Sequence, residues 1–172
     1  MACGKGKITH EENEVDTMSK IDIYDFAFIK RAPETTEKQD LTDVIKIYFI
    51  ENDSSLNSGY AIDIEENEAY VDPMIGSRGV RTGVDDPVHI NNASDLIDTL
   101  EKYHVQDWDT DYTVENSSDY EDGGSWQLWI QYTDGSVEKH GGSGTSYQKM
   151  TPENYSDFKK EFKASVEERI EK

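Results

Sequence analysis

Residues 126–140 constrain the fold more than any other part of the chain. In Trp126-Gln127-Leu128-Trp129-Ile130-Gln131-Tyr132, large apolar side chains recur at every second position; Asp134-Gly135 interrupts, and Ser136-Val137-Glu138-Lys139-His140 resumes. A period of two gives a strand one apolar face, and Asp-Gly between two such runs predicts a hairpin with a type I′ turn. An isolated hairpin is marginal in water, so other segments must cover this one.

The rest of the chain supplies candidates. Residues 21–29 are rich in β-branched and aromatic side chains, and their alternation predicts a strand with Tyr24, Phe26 and Phe28 on one face. Residues 31–40, with Pro33 and many charges, read as a loop. Residues 43–51 predict a second strand, Ile45, Ile47 and Phe49 facing one way and Val44, Tyr48 and Ile50 the other. Turn-formers at 52–55 and 57–59 lead into an alternating run at 60–65, so these two strands should pair antiparallel. Residues 69–71 predict a short further strand after a turn at Glu66-Asn67.

Two helices follow from three- and four-residue spacing. Ser94 reads as an N-cap for a helix to His104 carrying Leu96, Ile97, Leu100 and Tyr103. Thr151 and Pro152 read as N-cap and first turn of a last helix, with Tyr155, Phe158, Phe162, Val166 and Ile170 on one stripe. Gly141-Gly142-Ser143-Gly144 reads as the link between hairpin and helix. The expectation is an α+β fold: an antiparallel meander and hairpin sheet of about six strands, with one central and one carboxy-terminal amphipathic helix packed on it. Residues 20–172 should form a single domain behind a flexible tether at 1–19.

Composition decides whether such a chain stays compact. Leu, Ile, Val and Phe are 34 of 172 residues and the net charge is −20, at the border of the disorder signature. Ten Tyr and three Trp restore burial capacity. The same charge argues against direct nucleic-acid binding, which needs clustered Lys and Arg. The excess is uneven: residues 43–122 hold 20 acidic and four basic side chains. Such a field attracts basic partners, or simply keeps a surface protein soluble.

The start, Met1-Ala2-Cys3-Gly4, resembles the processed end of a bacterial lipoprotein. The resemblance implies that Cys3 carries the lipid, that the following polar stretch is a tether, and that the domain sits on the outer face of a membrane. The run from Trp126 to Lys163 also resembles small secreted or lipid-anchored bacterial domains of uncharacterised function: a Trp-rich strand, an Asp-Gly turn, a Gly-rich link and a Pro-initiated helix. That likeness is one of topology and implies no catalytic site.

Candidate sites lie in two irregular stretches, 73–92 and 106–124, since long loops in compact domains often bind ligands. Arg78, Arg81 and Trp108 are the candidate binding residues, the arginines as a clamp for a carboxylate or phosphate. Asp107, Asp109 and Asp111 have the alternate spacing that opens a calcium loop. Tyr112 stands where the tight-turn glycine belongs and Ser118 where the closing glutamate does. A solvated acidic loop is therefore the plainer reading, and no other cofactor is indicated. His10, His89, His104 and His140 show no metal or nucleophile spacing. The expected function is a non-enzymatic, lipid-anchored binding domain for an unidentified protein or small ligand. The alternative is a cytosolic acidic inhibitor that mimics nucleic acid and blocks a basic groove.

Overall fold

The computed structural model describes residues 22–53, 56–73, 87–114 and 123–171. Its centre is one antiparallel sheet of six strands, β1 (Val44–Asp53), β2 (Leu56–Asp63), β3 (Glu68–Val71), β4 (Val88–His89), β5 (Gly124–Tyr132) and β6 (Val137–Gly144). Their spatial order is β4-β3-β2-β1-β5-β6. Strands β1 to β4 form a meander, and the β5–β6 hairpin adds to the other side of β1, with Phe49 opposite both Tyr60 and Leu128. Two helices, α1 (Leu96–Lys102) and α2 (Tyr155–Arg169), complete the α+β fold.

Strand β1 is buried on both faces, which is why its sequence is almost continuously apolar. On one face Ile47, Phe49, Ile62, Leu128 and Ile130 meet Leu96 and Leu100 of α1 and the α2 stripe. Phe49, fully buried, stands edge-on to Tyr155, Phe158 and Phe162, with ring centroids 6.2, 5.6 and 5.6 Å away. The opposite face buries Tyr48, Ile50, Ala61 and Trp129 under Phe26, Ile29 and Ala32.

That cover corrects the first predicted strand. Phe26–Arg31 is a 3-10 helix, capped by the Asp25 carboxylate, which accepts from the Ala27 amide at 2.8 Å. Phe26, Ile29 and Ala32 bury together because a 3-10 helix brings every third residue to one side. Burial against the sheet thus overrides their β-propensity. The sheet keeps six strands because β4 forms within a stretch read as loop.

Smaller departures have local causes. The Asp134-Gly135 turn is a three-residue loop: Gly135 N–H donates to Tyr132 O at 2.9 Å, Tyr132 N–H to Ser136 O at 3.0 Å, and Gly135 takes φ 84. Asp134 instead accepts from the Ser136 amide and hydroxyl at 2.8 and 2.6 Å, the arrangement of a type I turn closed by a left-handed glycine. The glycine run at 141–144 is not a link but the end of β6. Ser94 sits inside a 3-10 turn, Ala93–Asp95, that precedes α1. Thr151 donates its hydroxyl back to Tyr147 O at 2.8 Å, and α2 begins only at Tyr155.

Both sheet edges are occupied, which removes an open template for pairing. At β4, Asn91 N–H donates to Arg169 O and Glu171 N–H to His89 O, so the chain leaving α2 lies along the edge. At β6, Val137 exchanges bonds with Pro33 and Thr35, while Tyr112 and Val114 donate to Gly141 and Ser143 at 2.8 and 2.9 Å.

Candidate functional site

Antiparallel pairing puts the end of β1, the start of β2, the start of β5 and the end of β6 at one end of the sheet: Asp53 faces Leu56, Asn52 faces Ser125, and Gly124 faces Gly144. Segments 74–86 and 115–122 lie outside the described residues, but their described flanks leave from this same end. Asp72 N–H donates to Gly59 O at 2.8 Å beside the start of β2, and Val114 lies against Ser143 near the end of β6.

At this end, between the strand tips and the first turns of α2, lies a cavity of about 430 Å³. Trp126, Met150 and Tyr147 form its apolar wall, and Ser58, Asn52, Ser125 and Thr145 its hydroxyl and amide rim. The wall exists because the 145–150 link folds back on β5. Trp126, 1% exposed, donates its indole N–H to Met150 O at 2.6 Å and packs on Tyr155 with centroids 4.6 Å apart. A Cβ at Gly142 would stand 2.2 Å from the same Met150 carbonyl, so the link closes only over glycine.

Charge enters the cavity through Glu51. Its Oε1 accepts from Lys159 Nζ at 3.0 Å and Tyr155 OH at 3.1 Å, and its Oε2 from Lys163 Nζ at 2.9 Å. Burial works against the charged carboxylate, but the hydrogen bonds and charges of Lys163 and Lys159 outweigh it and hold Glu51 below the ordinary glutamate range. Lys159 shows the mirror case: desolvation opposes its charge, while Glu51 and Tyr147 raise its pKa. Burial beside Glu51 pushes the Tyr155 hydroxyl well up, so it stays a donor.

A second polar cluster lies outside the cavity, on β6. His140, 3% exposed, has Nε2 at 2.7 Å from Glu138 Oε1 and Nδ1 at 3.0 Å from Asp109 O. Tyr132 OH donates to Glu138 Oε2 at 2.6 Å, and Gln106 donates to that hydroxyl at 3.1 Å and to Gln39 O at 2.9 Å. Burial opposes the Glu138 charge, yet hydrogen bonds from His140 and Tyr132 hold its carboxyl below the ordinary value. These contacts, with the amide bonds of Tyr112 and Val114, tie residues 106–114 along β6.

The sequence-derived candidates are dispersed. Cys3, Arg78 and Arg81 lie outside the described residues. Trp108 is a core residue, 9% exposed, packed edge-on to Trp126 and Phe158 at 6.0 and 5.1 Å. Asp107 pairs with Lys38 at 2.9 Å, Asp111 accepts from the Thr113 amide at 2.8 Å, and Asp109 engages His140 through its backbone carbonyl. Among the described residues no three His, Cys, Asp or Glu side chains are grouped to hold a metal ion. Sequence reasoning missed Glu51, Lys159 and Lys163. One signal was available: Lys159 and Lys163 follow Tyr155 at four-residue steps, and so share one side of α2.

No protein-family model, no curated protein and no solved structure matches the chain.

Proposed function

We propose that the protein is a non-enzymatic binding domain, lipid-anchored through Cys3 at the outer face of a bacterial membrane, that takes its ligand at the strand-end cavity. One observation carries the reading: Asp72 and Val114, which precede segments 74–86 and 115–122, stand towards the end of the sheet that holds this cavity. Its lining suits recognition, since an aromatic wall supplies contact area and hydroxyls, an amide and an ion pair supply direction. Its volume lies within the range of small-molecule sites, about 300–1,000 Å³. Membrane attachment would rest on the lipid, since no helix among the described residues is long and apolar enough to cross a bilayer.

Two experiments test the two halves. A fragment library screened by amide correlation spectra should give hits whose shifts cluster at Ser58, Ser125, Thr145 and Tyr147; hits confined to other surfaces would refute the site. Expressed in a bacterium from its full gene, the protein should partition into detergent and lose that property in Cys3→Ala. Equal partitioning of both forms would refute the anchor.

A further inference from the structure

We infer that the cavity takes a ligand with an anionic head, a carboxylate or phosphate, on a flat apolar body, and that Lys159 is the group that holds the head. This rests on the strand-end cavity being the binding site.

The argument starts from an imbalance. In a chain of net charge −20, two lysines share one carboxylate at the cavity's edge. Glu51 already accepts three hydrogen bonds, two on Oε1 and one on Oε2. It therefore has little acceptor capacity left for an incoming cation. The ammonium groups are in the opposite position, since each carries three N–H donors. Lys163 spends two, on Glu51 and on Ser58 Oγ at 3.2 Å. Lys159 places its Nζ 3.0 Å from Glu51 and 5.1 Å from the centre of the Tyr147 ring, and it lines the cavity. Asp53, the other acid at the rim, is itself engaged with a neighbour. Beyond the donors that Glu51 and Tyr147 engage, Lys159 keeps an N–H on the cavity's lining.

The body of the ligand follows from the wall. Trp126 and Met150 form its floor, and Tyr147 stands 39% exposed at the mouth. Tyr147 also packs edge-on to Tyr155, 5.7 Å away, which fixes an aromatic surface beside the ammonium. A planar apolar group against the exposed Tyr147 ring puts its charged substituent within reach of Lys159.

Five probes read by amide shifts and titration test this. Indole-3-acetate and phenyl phosphate carry the predicted head and body, tryptophol and tryptamine replace the head by a neutral or cationic one, and inorganic phosphate lacks the body. We expect one or both anionic aromatics to move the Ser125, Thr145 and Tyr147 amides and to bind at least about tenfold more tightly than tryptophol, tryptamine or phosphate. Which of the two binds separates a carboxylate from a phosphate source. Lys159→Gln should remove the preference with a slightly lower melting temperature, since Glu51 loses a partner, and Lys159→Arg should keep both. If Lys159→Gln does not fold, Lys163→Gln serves as a second charge-removal variant and should weaken the preference. Equal binding of tryptophol or tryptamine, or a preference that survives Lys159→Gln, overturns the charge assignment alone. Silence of all three amides to every probe overturns the cavity reading itself.

Discussion

His140 and Glu138, two residues apart on β6, meet side by side with Nε2 2.7 Å from Oε1. Through this pair the sheet holds residues 106–114, because the other ring nitrogen reaches Asp109 O and the other carboxylate oxygen reaches Tyr132. Replacing His140 with Ala takes the His140 partner from Glu138 Oε1 and from the Asp109 carbonyl and opens space in a buried position. We expect a loss of about 2–4 kcal/mol in urea unfolding. Faster amide exchange at Tyr112 and Val114 should accompany it; unchanged protection there would mean that the segment is held by its backbone bonds alone.

Acid should weaken the fold through Glu51 and Glu138. Both carboxyls are held below their ordinary value of 4.5. Between the folded and unfolded values the unfolded chain binds more protons, so each contributes stability that is present above about 4.5 and is lost as pH falls through its folded value. Urea midpoints measured from pH 6 down to pH 3 should fall less steeply in Glu51→Gln and in Glu138→Gln than in the parent. Parallel curves would show that neither pairing is coupled to folding.

Gly142→Ala should damage the cavity before it damages the sheet. Its Cβ would stand 2.2 Å from Met150 O and 2.9 Å from Trp126 Nε1, so the link must move outward. Overpacking of this kind costs about 1–3 kcal/mol. Shift changes should concentrate at residues 145–150, with the β1–β2 amides unaffected.

Phe49→Ala removes the ring on which three α2 aromatics converge. About 3–5 kcal/mol is expected from the lost transfer and the remaining cavity, measured by denaturant unfolding. A loss below about 1 kcal/mol would mean that α2 is not seated on the centre of the sheet.

Much of this architecture is legible in the sequence where periodicity and burial agree. Ile47 to Phe49, Trp126 to Tyr132 and the Tyr155–Val166 stripe each carry a pattern that only one packing satisfies, whereas a bulge at the start of β1 breaks the alternation and puts Val44 with Ile47 and Phe49. The pattern misleads at 21–29, where aromatic and β-branched residues suit a strand but the sheet face they cover leaves no edge to join, so they coil as a 3-10 helix. It is silent at Val88–His89, since two residues carry no period and this strand exists because α2's exit lies beside it. The cavity was less legible still. Glu51 reads as the polar end of a strand and Lys159 as a solvated helix face; only the register of β1 against α2 brings them together, and that contact spans over a hundred residues of chain. The acidic triplet at 107–111 shows the converse: its spacing is a calcium loop's, but Asp107 pairs with Lys38, Asp111 accepts from Thr113, and Asp109 engages His140 through its backbone carbonyl.

The most direct test of the binding reading is to fill the cavity. Thr145 lines it and is exposed on its rim, so Thr145→Trp puts an indole into the space without disturbing the core. The fragment screen repeated on this variant should lose the hits that shift Ser125 and Tyr147, while its melting temperature stays that of the parent. The same hits, binding as tightly to the filled protein, would contradict the account.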